Sequence, residues 1–92
     1  MIRSFRHRGL RRLYERGVSR DIRADHVSRV RRILLHLETA HQLRDLDAPE
    51  YGLHPLKGDR RGTWAVKVSG NWQVTFKFEN GEFFDVHYED CH

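Results

Sequence analysis

The chain lacks the features that define several kinds of small protein. It has a single cysteine, Cys91, so no internal disulfide can staple it. Small secreted domains usually depend on such staples, and residues 1–6 carry no apolar stretch of the signal-peptide kind, so the expectation is a cytoplasmic protein. No apolar run approaches the roughly 20 residues that a membrane-spanning helix needs, so no membrane partner is expected. Internal repeats, low-complexity tracts, a glycine-rich nucleotide loop and a G-x-S-x-G elbow are all missing. His54, His87, Cys91 and His92 are the conceivable metal ligands. No C-x-x-C or H-x3-H pair exists, however, and the adjacent Cys91-His92 is poor chelate geometry, so neither metal nor other cofactor is expected. Cys91 also has no evident base in fixed order beside it, which argues against a cysteine nucleophile.

What the chain does have is aromatic residues and charge. Five Phe, three Tyr and two Trp in 92 residues are enough to nucleate one core, and the length predicts one domain spanning 1–92. The formal charge is +4, but it is unevenly spread. Residues 1–36 hold 11 Arg against 3 acids, whereas residues 37–92 hold 6 basic residues against 10 acids. An arginine-rich half suits a polyanion, because guanidinium forks match phosphate oxygens; a solvated helical face would leave the same pattern.

The patterning divides near Asp47-Ala48-Pro49-Glu50. Residues 2–5 alternate and suit one short strand. Leu10, Leu13 and Tyr14 mark a first helix closed by Gly17, and Ile22, Val27, Val30, Ile33, Leu34 and Leu37 mark a longer second helix with Asp21 as its N-cap. Downstream, Trp64/Val66/Val68, Trp72/Val74/Phe76/Phe78 and Phe84/Val86/Tyr88 alternate with polar residues, as half-buried antiparallel strands do. To keep apolar residues opposite one another, parity favours three-residue loops, Ser69-Gly70-Asn71 and Glu79-Asn80-Gly81, with Gly81 at a left-handed bulge position. These loops pair Val68 with Trp72, Val66 with Val74, Trp64 with Phe76, Phe76 with Phe84, Val74 with Val86 and Trp72 with Tyr88. The predicted architecture is α+β, with two N-terminal helices on one face of an antiparallel sheet. The other face, carrying Lys67, Gln73, Thr75, Asp85 and His87, is expected to be wet and open to a ligand.

Two polar segments could carry chemistry: His54-Pro55-Leu56-Lys57-Gly58-Asp59-Arg60 and Tyr88-Glu89-Asp90-Cys91-His92. Lysine and arginine stabilise charge on a phosphorane, and histidine transfers protons near neutral pH. A solvated turn and a frayed tail are the plainer readings of the same segments. Residues 7–38 also allow a helix-turn-helix DNA reader, with Arg23, Arg29, Arg31, Arg32 and His36 on its free face.

These segments, together with Met1-Ile2-Arg3-Ser4-Phe5, Tyr51-Gly52-Leu53, Gly62-Thr63-Trp64-Ala65-Val66 and Asn71-Trp72-Gln73-Val74-Thr75-Phe76, resemble the HigB-type toxins of the RelE/ParE superfamily. The resemblance runs along the whole chain. The ordered H-P-L-K-G-x-R, N-W-x-(hydrophobic)-x-F and Y-E-D-x-H elements are specific to it. It implies a microbial-RNase-like α+β fold and a toxin that cleaves mRNA in the ribosomal A site without metal, by attack of the 2′-OH on the adjacent phosphate. His54, Lys57, Asp90 and His92 match the family's catalytic positions, while Gln73, Cys91 and Arg60 match substrate-binding ones. The implied roles are proton acceptor for His92 or Asp90, phosphorane neutralisation for Lys57, and substrate positioning or shared proton transfer for His54. The implied partners are a HigA-like helix-turn-helix antitoxin and the 70S ribosome with mRNA. Two positions depart from the family: Gln73 stands where Arg is usual and Cys91 where Tyr is usual. The first lacks a charge and the second a stacking ring, so attenuated activity is expected. The alternative is a catalytically weak module that binds ribosome or antitoxin. A gyrase inhibitor of the same superfamily fits less well, since inhibition by binding needs no acid-and-histidine cluster.

Overall fold

The computed structural model describes residues 1–90. Helix α1 (Arg8–Arg16) begins where the His7 ring nitrogen accepts a hydrogen bond from the Leu10 amide at 3.1 Å. It ends at Gly17, whose φ of 72° supplies the left-handed cap. Helix α2 (Val27–Thr39) follows a 3-10 turn at Ala24–His26. Asp21 is therefore not its N-cap: the carboxylate pairs instead with Arg12 at 2.5 Å, tying the inter-helix loop back to α1. Leu10 and Leu13 of α1, with Val30, Ile33, Leu34 and Leu37 of α2, are buried in the core, as their spacing predicts.

Short 3-10 turns at Leu43–Leu46 and Pro49–Tyr51 lead into a four-stranded antiparallel sheet of order β1-β2-β3-β4. Its strands are β1 (His54–Pro55), β2 (Thr63–Ser69), β3 (Trp72–Glu79) and β4 (Glu82–Asp90). The N-terminal residues 2–5 do not form a strand; they make two isolated parallel bridges, Ile2 to Phe83 and Phe5 to Val86, along the outer edge of β4. The fold is α+β, with both helices packed on one face of the sheet.

The register corrects the parity argument. Trp64 faces Phe76 and Val66 faces Val74, as expected. At the β2–β3 turn, however, Ser69 rather than Val68 faces Trp72, with a shift between Lys67 and Ser69. The β3–β4 turn is the two-residue Asn80-Gly81, closed by Glu79 opposite Glu82, and both turn residues have positive φ (51° and 80°). This is the primed turn that best matches strand twist. The apolar pairing is restored by an extra residue further along. Lys77 faces Phe84, yet Thr75 faces His87, so Phe76 opposes both Asp85 and Val86. Asp85 takes the strained left-handed conformation (φ 51°) at this β-bulge.

The bulge changes which side chains enter the core. Phe83, not Phe84, is fully buried, edge-on to Phe76 at 5.2 Å, and Val74 faces Tyr88 rather than Val86. Lys77 reaches Asp85 at 3.8 Å, and the Ser4 hydroxyl accepts from the Asp85 amide at 2.9 Å, so the bulge is held on both sides.

A β-branched residue tolerates the left-handed region poorly, at a cost of about 1–2 kcal/mol. Asp85→Val should lower stability by about that amount in urea unfolding, whereas Asp85→Gly should stay within about 0.5 kcal/mol of the parent. Equal losses in the two variants would contradict a conformational role for this position.

Candidate active site

Beyond the bulge, strand alternation puts Gln73, Thr75, His87 and Glu89 on the sheet face turned away from the helices. Two cross-strand rows organise this face. One runs His54–Ala65–Thr75–His87 and the other Lys67–Gln73–Glu89. The face is not simply wet: Gln73 is 6% exposed and Thr75 1%. Ala65 is buried too, yet lies outside the hydrophobic cluster that joins sheet and helices.

A charged knot covers these residues. The Arg60 guanidinium donates two hydrogen bonds to the Glu89 carboxylate, at 2.5 and 2.9 Å, in the bidentate geometry that makes such pairs strong. The Gln73 amide donates to the same carboxylate at 3.5 Å, and the His87 Nε2 stands 3.7 Å from it. The Arg60 bonds are the main reason the Glu89 carboxyl is held below its ordinary range. Burial pushes the His87 imidazole down despite the nearby Glu89, so it favours the neutral form. Among the described residues its buried Nδ1 has no hydrogen-bond partner. His7, whose own imidazole is lowered by burial, lies 5.6 Å from it ring to ring.

The residues proposed from sequence are distributed unevenly around this knot. Arg60 and Gln73 meet on Glu89. His54 shares the face but stands on the edge strand, with about 14 Å of sheet width between its backbone and that of His87. Its Nδ1 bonds the Gly52 carbonyl at 2.9 Å, which fixes the ring on its short strand. Lys57 is exposed and begins the 3-10 turn Gly58–Arg60, so one short loop carries both Lys57 and Arg60 to the site. Asp90 faces Trp72 at the end of β4, with the strand parity of Tyr88 rather than of Glu89. Cys91 and His92 lie outside the described residues. Among the described residues no three His, Cys, Asp or Glu side chains are grouped to hold a metal ion.

Glu89 is the residue that sequence reasoning passed over. In the sequence it stands inside the Tyr88–His92 segment with nothing to mark it, yet it organises the arginine, the glutamine and the histidine. His26 was missed as well. It is 2% exposed, hydrogen-bonded through Nδ1 to the Tyr88 hydroxyl at 2.6 Å, and edge-on to Trp72 at 5.5 Å. Trp72 stacks on Tyr88 at 4.7 Å. This aromatic group fixes the far ends of β3 and β4 from the core side, so the neighbouring Gln73 and Glu89 project on the other side from a rigid base. Parts of the arginine-rich half are also structural. Arg29 donates to the Lys67 carbonyl at 3.0 Å and to the Glu50 carbonyl, and its guanidinium lies 5.4 Å from the Tyr51 ring. Arg23 pairs with Asp25, and His36 bonds the Tyr51 hydroxyl at 2.6 Å. The free recognition face that a DNA-reading helix needs is thus partly tied down.

Fold and site together define a small α+β protein offering guanidinium, carboxylate and imidazole groups on one sheet face. A profile of the family described as "RelE-like toxin of type II toxin-antitoxin system HigB" matches residues 3–92, and the chain belongs to this family of HigB-like toxins. It is similar to Endoribonuclease HigB of Proteus vulgaris, with 45% identity over 92 residues that cover the whole of both chains.

The Arg60–Glu89 pair predicts a signature in acid. Because the folded-state value of Glu89 is depressed, its contribution is present above the ordinary value of 4.5 and is lost as pH falls through the lower folded value. Glu89→Gln should abolish that part of the acid destabilisation. A double-mutant cycle with Arg60→Ala should give a coupling on the order of 1 kcal/mol. A coupling of zero, with an unchanged acid profile, would contradict the pair's role.

Proposed function

We propose that this chain is the toxin of a toxin–antitoxin pair and an endoribonuclease that cleaves mRNA in the ribosomal A site without a metal ion. The observation that carries this reading is the end-to-end match, at 45% identity, to a protein named Endoribonuclease HigB. The placement of cations and imidazoles on one sheet face supports it, since this chemistry suits a phosphodiester.

In the proposed reaction the 2′-OH of the substrate ribose attacks the adjacent phosphorus as a base removes its proton. The bond to the 5′-oxygen of the next nucleotide breaks, and that oxygen takes up a proton. The products are a 2′,3′-cyclic phosphate and a 5′-hydroxyl. Lys57 and the guanidinium of Arg60 neutralise the phosphorane. His54, with its Nδ1 held by the Gly52 carbonyl, presents Nε2 for substrate positioning or proton transfer. His92, or Asp90 from the exposed end of β4, is the proposed proton acceptor, and Gln73 and Cys91 are proposed to touch the substrate.

The exposed arginines of α1, Arg8, Arg11 and Arg16, are proposed to meet ribosomal RNA phosphates, which would make docking salt-dependent. The antitoxin is proposed to be a HigA-like helix-turn-helix protein, and the site of action the cytoplasm. One observation favours a weaker enzyme, or a module that only binds. Gln73 is a neutral amide, so it brings no charge to a scissile phosphate, and it is buried and hydrogen-bonded to Glu89.

Programmed ribosomes with the message in the A site test the reading. The parent chain should cleave, and Lys57→Ala and His54→Ala should each lower single-turnover rates by about 10²–10³. Intact message at stoichiometric protein, with ribosome co-sedimentation retained, would leave only the binding role.

A further inference from the structure

We propose that a cleft beside the Arg60–Glu89 knot is a second phosphate subsite, which holds a flanking backbone phosphate of the same RNA strand. The proposal rests on the RNA-cleaving reading. The cleft, of about 170 Å³, lies on the sheet face that carries Thr75 and His87, displaced toward the Asn80-Gly81 turn. Its walls bring Arg6, Arg60, Arg61 and Lys77 together with the hydroxyls of Thr63 and Thr75. Two carboxylates also line it, Asp59 and Asp85, so cations are in excess. Asp85 is already engaged by Lys77 at 3.8 Å and by the Ser4 hydroxyl at 3.4 Å.

The remaining donors face an unfilled demand. Among the described residues, Arg6 and Arg61 make no side-chain hydrogen bond or ion pair, and neither threonine hydroxyl has a partner, although Thr75 is 1% exposed. A wall of cations over a nearly buried hydroxyl is complementary to an anion with several acceptor oxygens. Lys77 on β3 lies four residues from Gln73, about 13 Å along the strand. The Lys77 end of the cleft is therefore too far from the Gln73 row to hold the same phosphate, and lies along the path of a continuing strand. Arg60 links the two places: it lines the cleft and is clamped by Glu89. The predicted occupant is single-stranded RNA, since a continuous chain of phosphates can engage both positions at once.

The test uses the full chain and a short single-stranded RNA carrying 2′-O-methyl groups throughout, so that binding is read without cleavage. Arg61→Ala/Lys77→Ala changes exposed positions outside the proposed catalytic set. This double variant should weaken binding at least tenfold and lower the salt slope by about 0.7, the value for one phosphate contact on a single strand. A charge-matched control, Arg20→Ala/Arg44→Ala, should change affinity less than twofold. Equal losses in the two double variants, or loss of inorganic phosphate binding with RNA affinity unchanged, would overturn the subsite. The two readings fail separately. Cleft-dependent RNA binding without message cleavage on ribosomes sinks the nuclease. Cleavage with a parent-like kcat/KM in Arg61→Ala/Lys77→Ala sinks the subsite.

Discussion

One extra residue in β4 decides what each face of the sheet carries. Side chains alternate across a strand with a period of two, so a shift of one position exchanges the faces of everything beyond it. The tight Asn80-Gly81 turn sets one register near the hairpin end, and without correction that register would place Tyr88 on the side of Gln73. Asp85, in the left-handed region, absorbs one residue and returns Val86 and Tyr88 to the core. The same step delivers His87 and Glu89 to the opposite face, where Thr75 and Gln73 wait for them.

Core and site are thus two consequences of one irregularity. On the helix side, the corrected register brings Tyr88 onto Trp72 and its hydroxyl onto His26, closing the sheet against the segment that leads into α2. On the other side, Glu89 becomes the anchor for Arg60, which arrives on a loop with only a short 3-10 turn of its own. A charged side chain on such a loop is held in place only if something fixes its head group, and the bidentate carboxylate does so. The cost is that part of the site's positive charge is compensated before any substrate arrives.

Helix positions were legible because a 3.6-residue stripe survives in sequence: Leu10, Leu13, Val30, Ile33, Leu34 and Leu37 are buried as the spacing requires. The sheet was legible in content and less so in register. Parity reasoning recognised that apolar residues must face each other, but it placed the adjustment in longer turns. The structure keeps the two-residue turn and places the adjustment inside β4, at an aspartate that marks no bulge in sequence. That one difference moved Phe84 out of the core and Phe83 in. It also hid Glu89, since its partner Arg60 is 29 positions away and nothing local announces the pair. Buried His26 escaped because a lone histidine near a helix start reads as surface. His54, Lys57 and Arg60 stand out as one polar segment and take their roles from motif resemblance, which locates residues along the chain without stating what they touch.

The register itself is open to direct measurement. Cross-strand nuclear Overhauser contacts in isotopically labelled protein report which backbone protons of β3 and β4 face each other. The account predicts two registers in one hairpin: Lys77 with Phe84 on the turn side of Asp85, and Val74 with Tyr88 and Gln73 with Glu89 beyond it. A single uninterrupted register, with Val74 opposite His87 or Val86, would contradict it and dissolve the site built on Glu89.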